Sequence, residues 1–256
     1  MTLVLSNAGV TNVGMKRAHN EDNLLVLPEE NLFVVADGMG GHSSGEIASQ
    51  IAVEAIQNFF KATRQDEEIT WPYKMDKNRP YDENRFMMAV KLANLRIHEA
   101  AQREARYRGM GTTVAGMNFV EGHALIAHVG DSRVYLIRNG AITQITEDHS
   151  LLNDYIKAKK LTPEEIENFP HKNVIVRALG MKDTVLVDLS RHVTQPGDIY
   201  LSCSDGLSGM CTDPEMLEIV LKAPDLQAAA DQLIDKANQA GGVDNITVIL
   251  ARIEQN

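Results

Sequence analysis

Apolar residues along this chain follow two rhythms. The first is a short run rich in valine, isoleucine and leucine, closed at both ends by glycine, proline or a small polar residue, as strands are. Asn23–Pro28 and Asn31–Asp37 are two such runs parted by a pair of glutamates, which predicts a hairpin. Four more follow between Thr112 and Thr146, punctuated by Gly122, Gly130 and Gly140, and predict an antiparallel meander. Asp183–Ser190 and Gly197–Asp205 read as a further pair, and Asp244–Ile253 as a last strand. The second rhythm is helical. Ala48, Ile51, Ala52, Ala55, Ile56 and Phe59 carry it from Ser44 to Lys61, behind a capping box of Ser43 and Glu46. Phe86, Ala89, Val90, Ala93, Ile97 and Ala100 carry it through 84–106, and a third helix over 226–239 stops at Gly241-Gly242. Strands and helices come in blocks, not in strict alternation, which predicts an α+β fold with antiparallel sheets and helices outside.

Two stretches break both rhythms. Residues 64–84 are polar with two prolines, and 156–174 are charged, with Pro163 at the first position of a short helix. Long segments of this kind in a compact domain often cover a site. With 256 residues, 44% of them hydrophobic, the chain suits one large core and is short for two. The net charge of −10 disfavours nucleic acid and anionic lipid as partners, and fits carboxylates gathered to hold cations. Two cysteines, Cys203 and Cys211, without a C-x-x-C pair, read as reduced thiols of a cytoplasmic protein; Cys203 sits in an apolar strand. The first residues lack the basic start and apolar run of a signal peptide, and no membrane-spanning apolar stretch is present.

Aspartates gather where strands run out. Asp22 precedes one strand, Asp37 ends another, Asp131 follows a third, Asp205 ends a fourth and Asp244 begins the last. Three have glycine beside them: Asp37-Gly38, Gly130-Asp131 and Asp205-Gly206. Each taken alone is an ordinary turn. Together, at one sheet edge, they would repel one another and raise each other's pKa unless a cation neutralised them. Oxygen donors select hard ions such as Mg²⁺ or Mn²⁺. His123 and His128, five apart on an alternating strand, face opposite sides and do not suggest a shared metal.

Eight motifs in order give the chain a family resemblance: RAHNED (17–22), VVADGMGGH (34–42), GTT (111–113), GDSR (130–133), TEDHS (146–150), VIVRALG (174–180), SCSDGL (202–207) and DNIT (244–247). It resembles the compact bacterial form of the metal-dependent type 2C serine/threonine protein phosphatases. The resemblance implies a four-layer αββα sandwich, two antiparallel β-sheets flanked by helices, as a single domain over 1–256 with a flap at 150–174. It implies two Mn²⁺ or Mg²⁺ ions, Asp37 bridging both, Asp205 and Asp244 on one, and the Gly38 carbonyl on the other. Glu21 and Asp22 then contact that second ion or orient its waters, and Asp131 joins Asp205 at a third, weaker ion. Arg17 matches the phosphate-binding arginine, whose planar fork fits two phosphate oxygens. Met39 stands where many eukaryotic members carry a histidine as candidate general acid, and methionine has no proton to give. His42 and His149 read as structural, and Asn245 and Thr112 as hydrogen-bonding supports of the acid edge.

The implied reaction is hydrolysis of phosphoserine and phosphothreonine by a water bridging the two ions, on phosphorylated proteins, opposing a bacterial Ser/Thr kinase. A monomer is expected. The alternatives are a dedicated phosphatase of a partner-switching sigma-factor regulator and a non-catalytic phosphoprotein-binding module; the second predicts broken acids, and Asp37, Asp205 and Asp244 are intact.

Overall fold

The computed structural model describes residues 5–40, 44–65, 71, 74–159, 161–167, 169 and 174–254. His42 and the Ser43 half of the expected capping box lie outside them. Eleven strands are described: β1 (Leu5–Asn12), β2 (Asp22–Leu27), β3 (Leu32–Met39), β4 (Gly111–Thr112), β5 (Val114–Val120), β6 (His123–Val129), β7 (Arg133–Arg138), β8 (Ala141–Gln144), β9 (Asp188–Val193), β10 (Ile199–Cys203) and β11 (Ile246–Ile253). The helices are α1 (Ser44–Gln65), α2 (Tyr81–Arg103), α3 (Leu151–Lys159), α4 (Pro163–Glu167), α5 (Asp205–Ser208), α6 (Asp213–Lys222) and α7 (Leu226–Gln239). One sheet runs β1-β11-β10-β7-β8; the other runs β2-β3-β5-β6-β9, with β4 beside β3, and the paired strands are antiparallel.

Alternation along the strands builds four layers. Leu32, Val34 and Ala36 of β3 face α1 and α2, while Phe33 and Val35 face the other sheet. Ile246, Val248 and Leu250 of β11 face α6 and α7, while Ile249, Ala251 and Ile253 face inward. Phe33, Phe119 and Tyr200 meet edge-to-face between the sheets, with centroids 6.0 and 5.1 Å apart. The result is the αββα sandwich.

The β2–β3 hairpin is as expected, and two other pairings are not. The run from Thr112 to Thr146 is no meander: β5–β6 belong to one sheet and β7–β8 to the other. The chain changes sheets at Gly130–Ser132, where Gly130 takes φ +114° and a side chain there would strike Thr113. Nor do β9 and β10 pair: β9 lies on β6, and β10 sits between β7 and β11. Period-two alternation says which residues are buried but not which sheet buries them. The pattern also passed over β1, whose LSNAGVTN is too polar to stand out, and α6, capped by Thr212 and Glu215.

Candidate active site

The register of the β2–β3 hairpin sets the site. Asp22 and Asp37 are direct cross-strand partners. Asp37 continues the inward side of Phe33 and Val35, so its carboxylate emerges at the open end of the sandwich. Its backbone is clamped by β4 and β5: Thr113 Oγ1 accepts from the Asp37 N–H (3.0 Å), and Thr112 Oγ1 donates to the Asp37 carbonyl (2.9 Å). Asp205 opens α5 directly after β10, and Asp244 stands just before β11, which pairs with β10. Three adjacent strand ends therefore deliver three acids.

Gly38 and Gly206 have a steric reason for being glycine beyond the carbonyl freedom expected. A Cβ on Gly38 would sit 2.2 Å from the Gly45 carbonyl and 2.4 Å from that of Glu21; one on Gly206 would sit 2.0 Å from the Asn245 carbonyl. All three contacts are backbone, so no side chain can move aside. Asn245 closes the ring: its Oδ1 accepts from the Glu21 N–H (2.8 Å), and its Nδ2 donates to Val13 and His19 carbonyls (2.9 Å each). Thr112 and Asn245 are thus the supports expected of them.

The cleft has a volume of about 510 Å³ and is lined by Arg17, Glu21, Asp37, Gly38, Asp205 and Asp244, with His19, Met39, Ile175 and Asn245. Asp22 is not on its wall. It is 4% exposed and lies behind, its Oδ2 accepting from Thr247 Oγ1 at 2.7 Å. Asp131 opens instead into an adjoining cavity of about 340 Å³, which shares Asp205 and Asp244 with the cleft. His19 and Ile175 were missed as wall residues. His19 was legible inside RAHNED, whereas Ile175 reaches the wall only through tertiary folding.

The charges are unbalanced. Burial raises the Asp37 carboxyl well above its ordinary pKa, and Asp22, Asp205, Asp131 and Asp244 add to it by repulsion. Burial, then neighbouring acids, pushes Asp22 and Asp131 up to about 7. Asp205 is raised by burial and by Asp244, and Glu21 is raised mainly by burial. Against these stand Arg17, half-exposed, whose Nη2 donates to Asp244 Oδ2 at 2.6 Å, and Arg133, which is paired with Asp148 at 2.7 Å and acts on Asp131 and Asp205 from the adjoining cavity.

Among the described residues no three such side chains already surround a point as a finished metal cage; the acids lean on each other, on Thr247 and on Arg17. The donor set still fits a hard divalent cation. Every carboxylate offers oxygen, each shift in the cluster favours the protonated form while no cation is present, and Asp131 Oδ1 is buried with no hydrogen-bond partner. His149 beside it is structural: Nδ1 accepts from the Gly130 N–H (3.0 Å) and Nε2 faces Asp188 (3.0 Å), which fixes the neutral tautomer and braces the Gly130–Asp131 turn. Burial drives the neighbouring His128 down to about 4, and its Nε2 lies 3.0 Å from the Ser132 carbonyl, so it is a core group and no ligand.

An acid-lined cleft at the end of an αββα sandwich defines a class, and comparison with known proteins gives it a name. Residues 15–247 match the family model described as protein phosphatase 2C. The chain belongs to the protein phosphatase 2C family. It is 38% identical over 249 residues to the protein phosphatase PhpP of Streptococcus pneumoniae, covering 96% of each chain. It superposes on the serine/threonine phosphatase PstP/Ppp of Mycobacterium tuberculosis with TM-score 0.86 at 34% identity, covering 99% of this chain and 100% of that one. A PstP catalytic domain in complex with two manganese ions gives TM-score 0.82 at 34% identity, with the same coverage.

Proposed function

We propose that this chain hydrolyses phosphoserine and phosphothreonine in proteins, in opposition to a Ser/Thr kinase, with two Mn²⁺ or Mg²⁺ ions as cofactors. The observation that carries this reading is the convergence of Asp22, Asp37, Asp131, Asp205 and Asp244 on one another, from separate strand ends, with Arg17 on the cleft wall. Asp37 is assigned to both ions, Asp205 and Asp244 to one, and the Gly38 carbonyl with Glu21 to the other. Asp22, held behind Asp37 by Thr247, acts on that second ion's surroundings, and Asp131 with Asp205 takes a third, weaker ion. The manganese-bound relative supports Mn²⁺ as the ion. When bound, such a pair would supply Lewis acidity, lowering the pKa of water at the site and stabilising charge on phosphoryl oxygens.

The chain's own groups do the rest. Arg17 has donors beyond the one engaged by Asp244 and clamps two phosphate oxygens. Met39 on the cleft wall supplies no proton, so the leaving serine or threonine oxygen takes its proton from water in the cleft or from the substrate's surroundings. The rigid ring of Thr112, Thr113 and Asn245 keeps the acids in register when no ion is present. The segment 150–174 is the flap of this single domain. A monomer in the cytoplasm fits the free thiols of Cys203 and Cys211; no helix among the described residues is long and apolar enough to cross a membrane. The test is turnover of p-nitrophenyl phosphate and of a phosphothreonine peptide, with and without added Mn²⁺. Metal-dependent hydrolysis of both is expected. A chain that binds two Mn²⁺ ions and hydrolyses neither would overturn the reading.

A further inference from the structure

Beside the cleft runs a second groove of about 440 Å³, lined by Met39, Ile175, Val176, Met181, Val185 and Leu186, with Arg177, Lys182 and Thr184 as its polar wall residues. Met39 and Ile175 belong to both walls, so the groove is continuous with the cleft. Its side chains are unusually bare. Among the described residues, Val176, Met181 and Leu186 of this groove are 48%, 57% and 68% exposed, and Val174 next to them in the chain is 41% exposed. Such a patch marks an interaction surface.

The backbone beneath them is fixed. Leu179 exchanges two hydrogen bonds with Thr112, the residue that also holds the Asp37 carbonyl. Gly180, at φ +87°, donates to Asn94 Oδ1 at 2.9 Å. Asn94 is 1% exposed and its Nδ2 donates to the Lys182 and Asp183 carbonyls at 3.1 Å each. A buried amide on α2 thus spends its hydrogen bonds on a surface loop, which holds apolar side chains out in water at the lip of the cleft. A phosphorylated residue is carried on a polypeptide that must leave the cleft over one of its rims. On this side apolar side chains stand on a fixed backbone beside Arg177, Lys182 and Thr184, while the cleft wall also carries Arg17 and His19.

We propose that this groove seats an apolar side chain of the substrate polypeptide, within about three residues of the phosphorylated one, given ~3.3–3.6 Å of reach per extended residue. Substrate choice then falls on phosphoserine or phosphothreonine flanked by leucine, methionine or phenylalanine. The proposal rests on the phosphatase reading above.

The test compares kcat/KM across phosphoserine peptides carrying leucine or asparagine at each of the three positions on either side, with p-nitrophenyl phosphate alongside. At one position or more, leucine is expected to be preferred about tenfold, the scale of burying one such side chain. Met181→Glu and Leu186→Glu, both at exposed positions, should erase that preference and leave p-nitrophenyl phosphate turnover unchanged. Equal rates on all peptides, with the aryl phosphate still hydrolysed, would overturn the groove and spare the phosphatase reading. So would a preference that survives both substitutions. Absence of turnover on the aryl phosphate would instead sink the phosphatase reading, and the groove with it. A dimer that Leu186→Glu dissolves, with no peptide preference, would assign the face to a second copy of this chain and also overturn the proposal.

Discussion

The acid end of the sandwich and the segment 150–174 beside it are built on opposite terms. The acids stand at the ends of strands whose other residues are almost all buried, and their backbones are clamped by Thr112, Thr113 and Asn245. In the segment 150–174, no residue among those described joins a core cluster. Its ends are tied by backbone bonds from Leu151 to Val174 (2.8 Å) and from Val176 to His149 (2.9 Å), and Tyr155 and Phe169 stack on each other at 5.0 Å. The contrast teaches where strain is tolerated. Like charges are brought together where the backbone is clamped, while the described part of the segment 150–174 is tied by surface contacts, among them Asn153 Nδ2 to the Asp148 carbonyl (2.9 Å) and Lys157 to Glu147 (2.9 Å). Local stability differs accordingly.

The sharpest way to test that contrast is to remove one charge from the rigid end. Asp37→Asn keeps the shape and takes away an acid that is disfavoured first by burial and then by four neighbouring acids. Turnover of p-nitrophenyl phosphate with Mn²⁺ should fall by about a thousandfold or more. The melting temperature without metal should stay level or rise, because a repulsion has gone. Loss of activity with a large drop in metal-free stability would mean that Asp37 serves the fold.

The same repulsion gives a pH signature. Asp22 and Asp131 sit at about 7 in the folded protein without metal, against 3.8 for an ordinary aspartate. The folded state therefore binds more protons than the unfolded one between roughly pH 4 and 7, and stability falls as pH rises through that window. Holding one such buried acid ionised costs on the order of 4 kcal/mol. His128 acts in the other direction: neutral in the fold down to about 4, it withdraws stability as pH drops from 6.5, but it is one group against several acids. In chelator, the melting temperature should be several degrees lower at pH 8 than at pH 5.5, and added Mn²⁺ should close the gap. A flat or rising metal-free profile would contradict the clustering.

Arg17 offers a milder break. Its pair with Asp244 is half-exposed, so it adds little to stability. Arg17→Lys keeps the charge and loses the planar fork. It should lower kcat/KM about tenfold to a hundredfold while leaving the melting temperature within about two degrees. An unchanged kcat/KM would place Arg17 outside the phosphate site.

The acids were legible because each interrupts an apolar run, and an interruption is local. Their meeting was not, since it needs β10 beside β11 and the sheet change at Gly130, neither of which alternation specifies. Arg17 and Asp244 lie 227 positions apart, and only the fold brings them to 2.6 Å. The glycines were read as freeing carbonyls, while the crossing of Gly38 over Gly45 and Glu21 is a tertiary fact with no trace in composition. In the segment 150–174, α3 went unseen because Leu151, Leu152, Tyr155 and Ile156 are only half-buried, too little to mark a face, whereas Pro163 announced α4 by its own stereochemistry.

The smallest effect should come from the flap itself. A short Gly/Ser linker in place of 151–173 keeps Ser150 and its bridge to Ile175, and leaves His149 against Gly130. The Asp131 turn then stays braced, and no acid moves. Among the described residues none of 151–173 lines the cleft, so the rate on a small aryl phosphate should stay within about threefold. A phosphoprotein loses whatever binding energy the flap lends in the transition state, and its kcat/KM should drop about tenfold. Equal losses on both substrates would mean that this segment helps to hold the acid edge, and the division between the clamped acids and the segment 150–174 would fail.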